Sequence, residues 1–302
     1  MLDKKIIIFM PSIEGGGVER NLFEICNFLS TKYKIINLIT VSNQYKKYFS
    51  RKINIKGTDN LVLLNGNRIS KYIICSFYLI IELLDVKNKE KVIFSFQGNI
   101  FAILIAKIFG CKIIVRANSA PSGWIKGSLK KKFFEMIYKL ADIVIVNSIE
   151  FKKEFKKFFK INSVCIYNPV NKKKIISLSF KKNEHFKNKT RKLKILNIGR
   201  LVDQKNQIIL LKALKLIKNQ INFTVLIMGS GIMKKKLKDF IGNNKLEKNI
   251  KIIDYQKNPY NILKSCDVLI HTAKYEGLPN VLIEAQVLKK AIISSDCPSG
   301  PK

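Results

Sequence analysis

The chain has 302 residues, 47% of them hydrophobic, and 56 basic against 21 acidic side chains give a formal charge of +35. That length suits two domains of ordinary size, and that apolar content excludes a disordered chain. Six scattered cysteines with no C-x-x-C pair exclude a disulfide framework and a zinc site of that kind, and fit reduced thiols in the cytosol.

The chain starts with a lysine pair, Lys4-Lys5, followed by a short apolar strand over 5–10, which does not resemble a signal peptide. A glycine loop, Glu14-Gly15-Gly16-Gly17, then leads into a helix over 18–29. Its glycines let backbone approach a ligand closely, or simply make a tight connection. Glu19 either holds a substrate hydroxyl or decorates the helix. The loop is not G-x-G-x-x-G, and no acidic residue at ribose-binding distance suggests a nicotinamide cofactor.

A strand over 35–40 follows, and then a helix near 69–84. The longest apolar stretch, 72–84, is interrupted by Glu82 and is well short of the roughly 20 residues that a membrane-spanning helix needs. Strands over 92–96, 113–116 and 143–146 alternate with helices over 100–109, 129–140 and 149–159. Short apolar runs between amphipathic stretches predict parallel strands with crossover helices. The loops Ser95-Phe96-Gln97-Gly98-Asn99 and Arg116-Ala117-Asn118 fall after two of these strands.

Asn168-Pro169-Val170-Asn171 marks a break, so the first domain is expected over 1–171 and a polar linker over 172–192. A second domain is expected over 193–302. Here strands over 193–198, 223–228, 250–253, 268–271 and 291–294 alternate with helices over 206–218 and 232–241. Leu210, Leu214 and Ile217 share one helix face. The two halves read as tandem Rossmann-like domains with a cleft between them. The stretch 296–302 reads as an unfinished loop, so the second domain is expected to be incomplete.

Arg200 and Lys205 follow the first strand of that domain, at the end where open α/β sheets bind ligands. Gly229-Ser230-Gly231 makes a turn after the next strand, either as a tight connection or as a ligand contact. Glu276-Gly277-Leu278-Pro279-Asn280 then joins a strand to a helix, and seven residues separate Glu276 from Glu284. Pro279 suits the first helical turn, where its missing N–H has no intrahelical partner. Free N–H groups at that helix start attract phosphate. Carboxylates repel phosphate, so Glu276 and Glu284 are expected to accept from hydroxyls. A phosphate site flanked by hydroxyl acceptors suits a nucleotide sugar.

Glu276 through Glu284 resembles the E-x7-E signature of retaining glycosyltransferases of family 4 (glycosyl transferases group 1), which have the GT-B fold of two Rossmann-like domains facing a cleft. Arg200 and Lys205 resemble that family's basic pair, which neutralises the departing diphosphate. By this resemblance Arg200, Lys205 and Glu276 are catalytic. Gly17, Gly229, Gly277, Leu278, Asn280 and Glu284 bind the donor, with Glu284 on the ribose and Glu276 on sugar hydroxyls. Gly15, Gly16, Gln97, Arg116 and Asn118 lie on the acceptor side. Many relatives carry a histidine where Gln97 or a neighbour stands here; the two histidines of this chain, His185 and His271, lie elsewhere.

The resemblance implies a retaining hexosyltransferase that uses no metal and no cofactor. Its donor would be a UDP- or GDP-sugar, and its acceptor a glycan or lipid-linked molecule in cell-surface polysaccharide synthesis. The isolated Asp203, Asp254, Asp267 and Asp296 form no D-x-D metal signature. The positive charge fits either compositional drift or attraction to an anionic inner membrane surface, with the protein cytoplasmic or peripheral. Nucleic acid is not an expected partner, since no nucleic-acid module is recognisable. The rival readings are an inactive membrane- or partner-binding protein and a GT-B nucleotide-sugar epimerase.

Overall fold

The computed structural model describes residues 2–14, 16–58, 67–84, 91–183, 185–186 and 192–301. The chain divides into two units, Met1–Pro169 and Val170–Lys302. Among the described residues, no helix is long and apolar enough to cross a membrane.

Unit 1 holds seven parallel strands: β1 (Leu2–Phe9), β2 (Tyr33–Ser42), β3 (Ile53–Thr58), β4 (Lys91–Ser95), β5 (Lys112–Arg116), β6 (Ile143–Val146) and β7 (Val164–Cys165). Their order is β3-β2-β1-β4-β5-β6-β7. The helices are α1 (Gly17–Leu29), α2 (Arg68–Leu84), α3 (Asn99–Ile108), α4 (Ser128–Lys139) and α5 (Ile149–Phe159). A parallel sheet covered on both faces needs strands that are apolar on both sides. In β1, Ile6 and Ile8 enter one core with Leu22, Phe23 and Cys26 of α1, while Ile7 and Phe9 enter the other. That second core takes side chains from α2, α3, α4 and α5, so these four helices share one face of the sheet.

A buried ionic knot ties β1 to α2. Lys5 lies 2.5 Å from the Glu82 carboxylate, which also accepts from Asn37 at 2.6 Å. Lys91 donates to the backbone carbonyls of Glu82 and Leu83 at the end of α2, where a helix leaves its last carbonyls unpaired. Glu82, which interrupts the apolar stretch in the sequence, therefore points inward to a partner.

Unit 2 is a five-stranded parallel sheet of β8 (Leu193–Ile198), β9 (Phe223–Met228), β10 (Ile250–Ile253), β11 (Val268–His271) and β12 (Ala291–Ser294). The order is β10-β9-β8-β11-β12. Its helices are α6 (Lys172–Ser179), α7 (Gln207–Ile217), α8 (Lys234–Asn243), α9 (Tyr260–Ser265) and α10 (Asn280–Val287). The inner face of α7 buries Leu210, Leu211 and Leu214 against one side of the sheet. On the other side, α9 and α10 pack with Phe186.

The stretch expected as a linker over 172–192 is thus not a free connection. It begins with α6, which buries Ile175, and Phe186 enters the core of unit 2. Asn258 and Asn261 hold the backbone of Leu178 and Lys182. Two apolar anchors among many lysines are too sparse to register as a helical period. Strands β3 and β7 and the six-residue α9 also fall outside the sequence reading: β7 and α9 are too short to show periodicity, and in β3 polar residues and a glycine break the apolar run.

Candidate active site

In unit 2 the strand order reverses between β8 and β11, the topological switch point where open parallel sheets leave a crevice. These two strands pair only at Ile195–Val268 and Leu196–Leu269. Beyond those pairs the Asn197 side chain donates to the Ile270 carbonyl at 2.8 Å, which replaces the missing ladder bond. The loops after β8 and β11, one carrying Arg200 and Lys205 and the other Glu276, leave the sheet side by side.

Several bonds fasten the two loops together. Gln204 donates to the Tyr275 carbonyl at 2.9 Å, and the Lys274 N–H donates to the Gln204 carbonyl at 2.9 Å. The Thr272 hydroxyl donates to the Lys205 carbonyl at 2.9 Å. Lys274 also reaches both carboxylate oxygens of Asp203 at 2.7 Å. At the centre the Lys205 ammonium forms an ion pair with Glu276 Oε1. His271 Nε2 lies 3.2 Å from the same oxygen. Burial pushes the Glu276 carboxyl up, but the His271 contact and the Lys205 charge outweigh it and hold the group below its ordinary value. Arg200 stands at the rim, exposed, and its one side-chain contact among the described residues is at 3.4 Å to Gln204.

The Gly229-Ser230-Gly231 turn lies directly on the β8 loop. A Cβ on Gly229 would sit 1.9 Å from the Gly199 carbonyl oxygen, and one on Gly231 would sit 2.3 Å from that of Leu201. The Leu201 N–H donates to the Ser230 carbonyl at 2.8 Å, and the Met233 N–H to the Leu201 carbonyl at 2.9 Å. Backbone rests on backbone here, and only glycine leaves the room. These glycines therefore fix the loop that carries Arg200.

Gly277, Leu278 and Pro279 lead into α10, which starts at Asn280. Pro279 caps the helix with extended backbone and does not occupy its first turn. The segment after β12 closes over this loop: the Glu276 N–H donates to the Pro298 carbonyl, and a Cβ on Gly300 would meet the Gly277 oxygen at 2.2 Å. Glu284 is buried in α10 and accepts from the Tyr260 hydroxyl at 3.4 Å.

In unit 1 the switch point falls between β1 and β4. Gly15 lies outside the described residues. Gly16 is the N-cap of α1 and Gly17 its first residue. The Glu19 carboxylate folds back on this loop: its Oε2 would lie 2.8 Å from a Cβ on Gly16, and its Oε1 accepts from the Glu14 N–H at 3.4 Å. After β4, Gln97 Oε1 is buried with no hydrogen-bond partner among the described residues. Asn118 donates to the Phe96 carbonyl at 2.7 Å and so joins the loops after β4 and β5.

Arg116, expected on the acceptor side, lies buried in unit 1. It is 1% exposed, and its guanidinium donates to Asn168 at 2.6 Å, inside unit 1. Burial lowers its pKa to about 10, with the nearby Cys165 acting in the opposite direction. Arg116 braces the chain just before the boundary at Pro169.

The sequence reading gives His271 no place in the site. It is buried, and its contact with Glu276 makes it part of the site. The signal within reach was its place as the last residue of a strand, at the ligand-binding end of the sheet.

Residues 179–302 match the family model described as glycosyl transferases group 1. The chain is 33% identical over 214 residues to an uncharacterized glycosyltransferase of Methanocaldococcus jannaschii, over 66% of this chain and 53% of that protein. It thus spans about half the length of that relative. It is 27% identical over 316 residues to N-acetylgalactosamine-N,N'-diacetylbacillosaminyl-diphospho-undecaprenol 4-alpha-N-acetylgalactosaminyltransferase of Campylobacter jejuni, over 99% of this chain and 82% of the relative. Among solved structures, Anabaena HepE in complex with UDP and glucose superposes with a TM-score of 0.74 at 14% identity, over 97% of this chain and 81% of that one. At that identity the likeness speaks for the fold, which is GT-B.

Proposed function

We propose that the chain, whose residues 179–302 match the family model described as glycosyl transferases group 1, is a retaining, metal-independent glycosyltransferase. It moves a hexose or N-acetylhexosamine from a UDP- or GDP-sugar to a glycan or lipid-linked acceptor in cell-surface polysaccharide synthesis. The work is done at the inner face of the plasma membrane. The observation that carries this reading is the convergence of Arg200, Lys205 and Glu276 at the β8–β11 crevice, beside the N-terminus of α10. The Campylobacter relative, named for an undecaprenol-linked acceptor, supports a lipid-linked glycan.

The chemistry follows from the charges. In transfer with retention, the bond from the anomeric carbon to the diphosphate oxygen breaks while a bond to the acceptor oxygen forms on the same face. The acceptor's proton passes to the departing phosphate oxygen, so no separate base is needed. Charge builds on the diphosphate as it leaves, and fixed cations aimed at it lower the barrier. Arg200 at the rim and Lys205 in the crevice supply that charge, and the backbone N–H groups of Gly277, Leu278 and Asn280 donate to phosphate oxygens. Glu276 Oε2, which takes no hydrogen bond among the described residues, accepts from a sugar hydroxyl. Glu284 exchanges its long Tyr260 contact for a ribose hydroxyl. On the acceptor side, Gln97 Oε1 offers a buried acceptor at the switch point of unit 1.

Binding and hydrolysis across a panel of UDP- and GDP-sugars, with wild type, Glu284→Ala and Arg200→Ala, tests this. One donor should bind and turn over, both substitutions should cut turnover by at least about a hundredfold, and product analysis by NMR should find the anomeric configuration retained. A chain that binds no nucleotide sugar would sink the proposal.

A further inference from the structure

Helix α2 is apolar on its outer face as well as its inner one. Cys75, Leu79 and Leu83 face the core of unit 1. Ile69, Ile73, Phe77, Ile81 and Leu84 face outward, each between 50% and 64% exposed. The spacing of four, four, four and three residues keeps all five on one stripe along 17 residues of helix. A surface helix ordinarily carries polar residues there, and a continuous exposed apolar row marks an interaction site.

The surroundings identify the partner. α3 packs beside α2, and α4 beside α3, on the same face of the sheet. Both continue the pattern, with Ile108 of α3 and Leu129, Phe133 and Met136 of α4 exposed. The lysines on these helices are Lys71, Lys107, Lys130, Lys131, Lys132 and Lys139, of which Lys107 pairs with Asp142 and Lys139 with Glu135. Of the two carboxylates on these helices, Glu82 is buried against Lys5 and Glu135 is held by Lys139. The face is therefore apolar and cationic, and no free carboxylate on these helices opposes an anionic surface. The outer stripe of α2 also offers no hydrogen-bonding side chain with which to orient a protein partner.

We propose that this face docks the protein on an anionic lipid bilayer, with the outer stripe of α2 inserted at the level of the headgroups and the lysines of α2 and α4 on phosphate. Interfacial helices bind in this way, through buried apolar area plus attraction to anionic lipid. The inference rests on the proposed membrane-face function and gives that association a place in the fold. It assigns a role to the longest apolar stretch of the chain, which is too short to span a membrane.

The test is sedimentation with vesicles of phosphatidylglycerol and phosphatidylcholine, and with phosphatidylcholine alone. Wild type is compared with the triple substitution Ile73→Ser, Phe77→Ser, Ile81→Ser. A separate Phe77→Trp variant reports insertion through quenching of its new indole by brominated lipid. Wild type should bind the anionic vesicles and keep part of that binding in high salt. The triple variant should bind at least tenfold more weakly, with unchanged melting and unchanged nucleoside-diphosphate binding, and the Phe77→Trp variant should be quenched. Binding that is equal in the triple variant, or wholly lost in salt, would leave charge alone and overturn the proposal. So would dimerisation that the triple substitution abolishes, without vesicle binding. Nucleoside-diphosphate titration reads the enzymatic proposal separately, so failure of one does not obscure the other.

Discussion

Lys205 and Glu276 are 71 positions apart in the chain and form an ion pair at the crevice between two strands of unit 2. Neither charge stands alone there. The cation proposed to meet a diphosphate is held by the carboxylate proposed to meet the sugar, so the arriving donor must compete with an internal partner for one and find the other already oriented.

Glu276→Ala should destabilise unit 2 by on the order of 3 kcal/mol, because it leaves the mostly buried Lys205 ammonium without its partner. Chemical denaturation measures this. A carboxyl held low in the folded state adds stability that is complete above its ordinary value of 4.5 and is lost as pH falls through its lower folded value. Glu276→Gln should therefore flatten the acid limb of the stability profile. An unchanged acid limb would mean that the pair contributes nothing to folding.

Arg200→Ala should separate binding from stability. The side chain is exposed and its one contact is long, so the melting temperature should stay within about a degree or two. Turnover should fall by about 10²–10³-fold if the guanidinium faces the leaving diphosphate. Calorimetry with the nucleoside diphosphate, beside steady-state rates, distinguishes lost binding from lost catalysis.

His271→Leu should lower the affinity for the intact nucleotide sugar about tenfold while leaving that for the free nucleoside diphosphate unchanged, since His271 acts through Glu276. His271→Gln keeps a donor near the Nε2 position and should restore most of the loss. Equal weakening of both ligands would indicate a general collapse of the loop.

Gly229→Ala and Gly231→Ala should each cost well over about 1 kcal/mol, because the added carbon overlaps the Gly199 or Leu201 carbonyl. Gly242→Ala, in the last turn of α8 with its nearest contact at 3.6 Å, should instead stabilise by about 0.5–1 kcal/mol. Thermal melts of the three variants give the comparison directly.

Much of this protein was legible before any coordinates. The strand–helix alternation is local: Ile6-Ile7-Ile8-Phe9 reads as a strand wherever it lies, and the leucines of α7 mark one helix face. The glutamate spacing and the basic pair are also local, since each lies within a single loop–helix segment. Other features could not be read this way. Ile175 and Phe186 anchor a lysine-rich stretch to unit 2 only because α9 and α10 are there to receive them. The burial of Arg116 against Asn168 likewise depends on a partner 52 positions away in the chain.

By itself, then, the sequence determined most of the strand–helix alternation, the two-domain plan and the residue types available to bind a nucleotide sugar, because backbone propensity and apolar periodicity act over a few residues. The tertiary structure alone decided that Lys205 and His271 share one oxygen of Glu276, that Gly229 rests on Gly199, and that the outer stripe of α2 is left bare. Those outcomes depend on which strands lie side by side, and strand order is set by packing across the whole sheet.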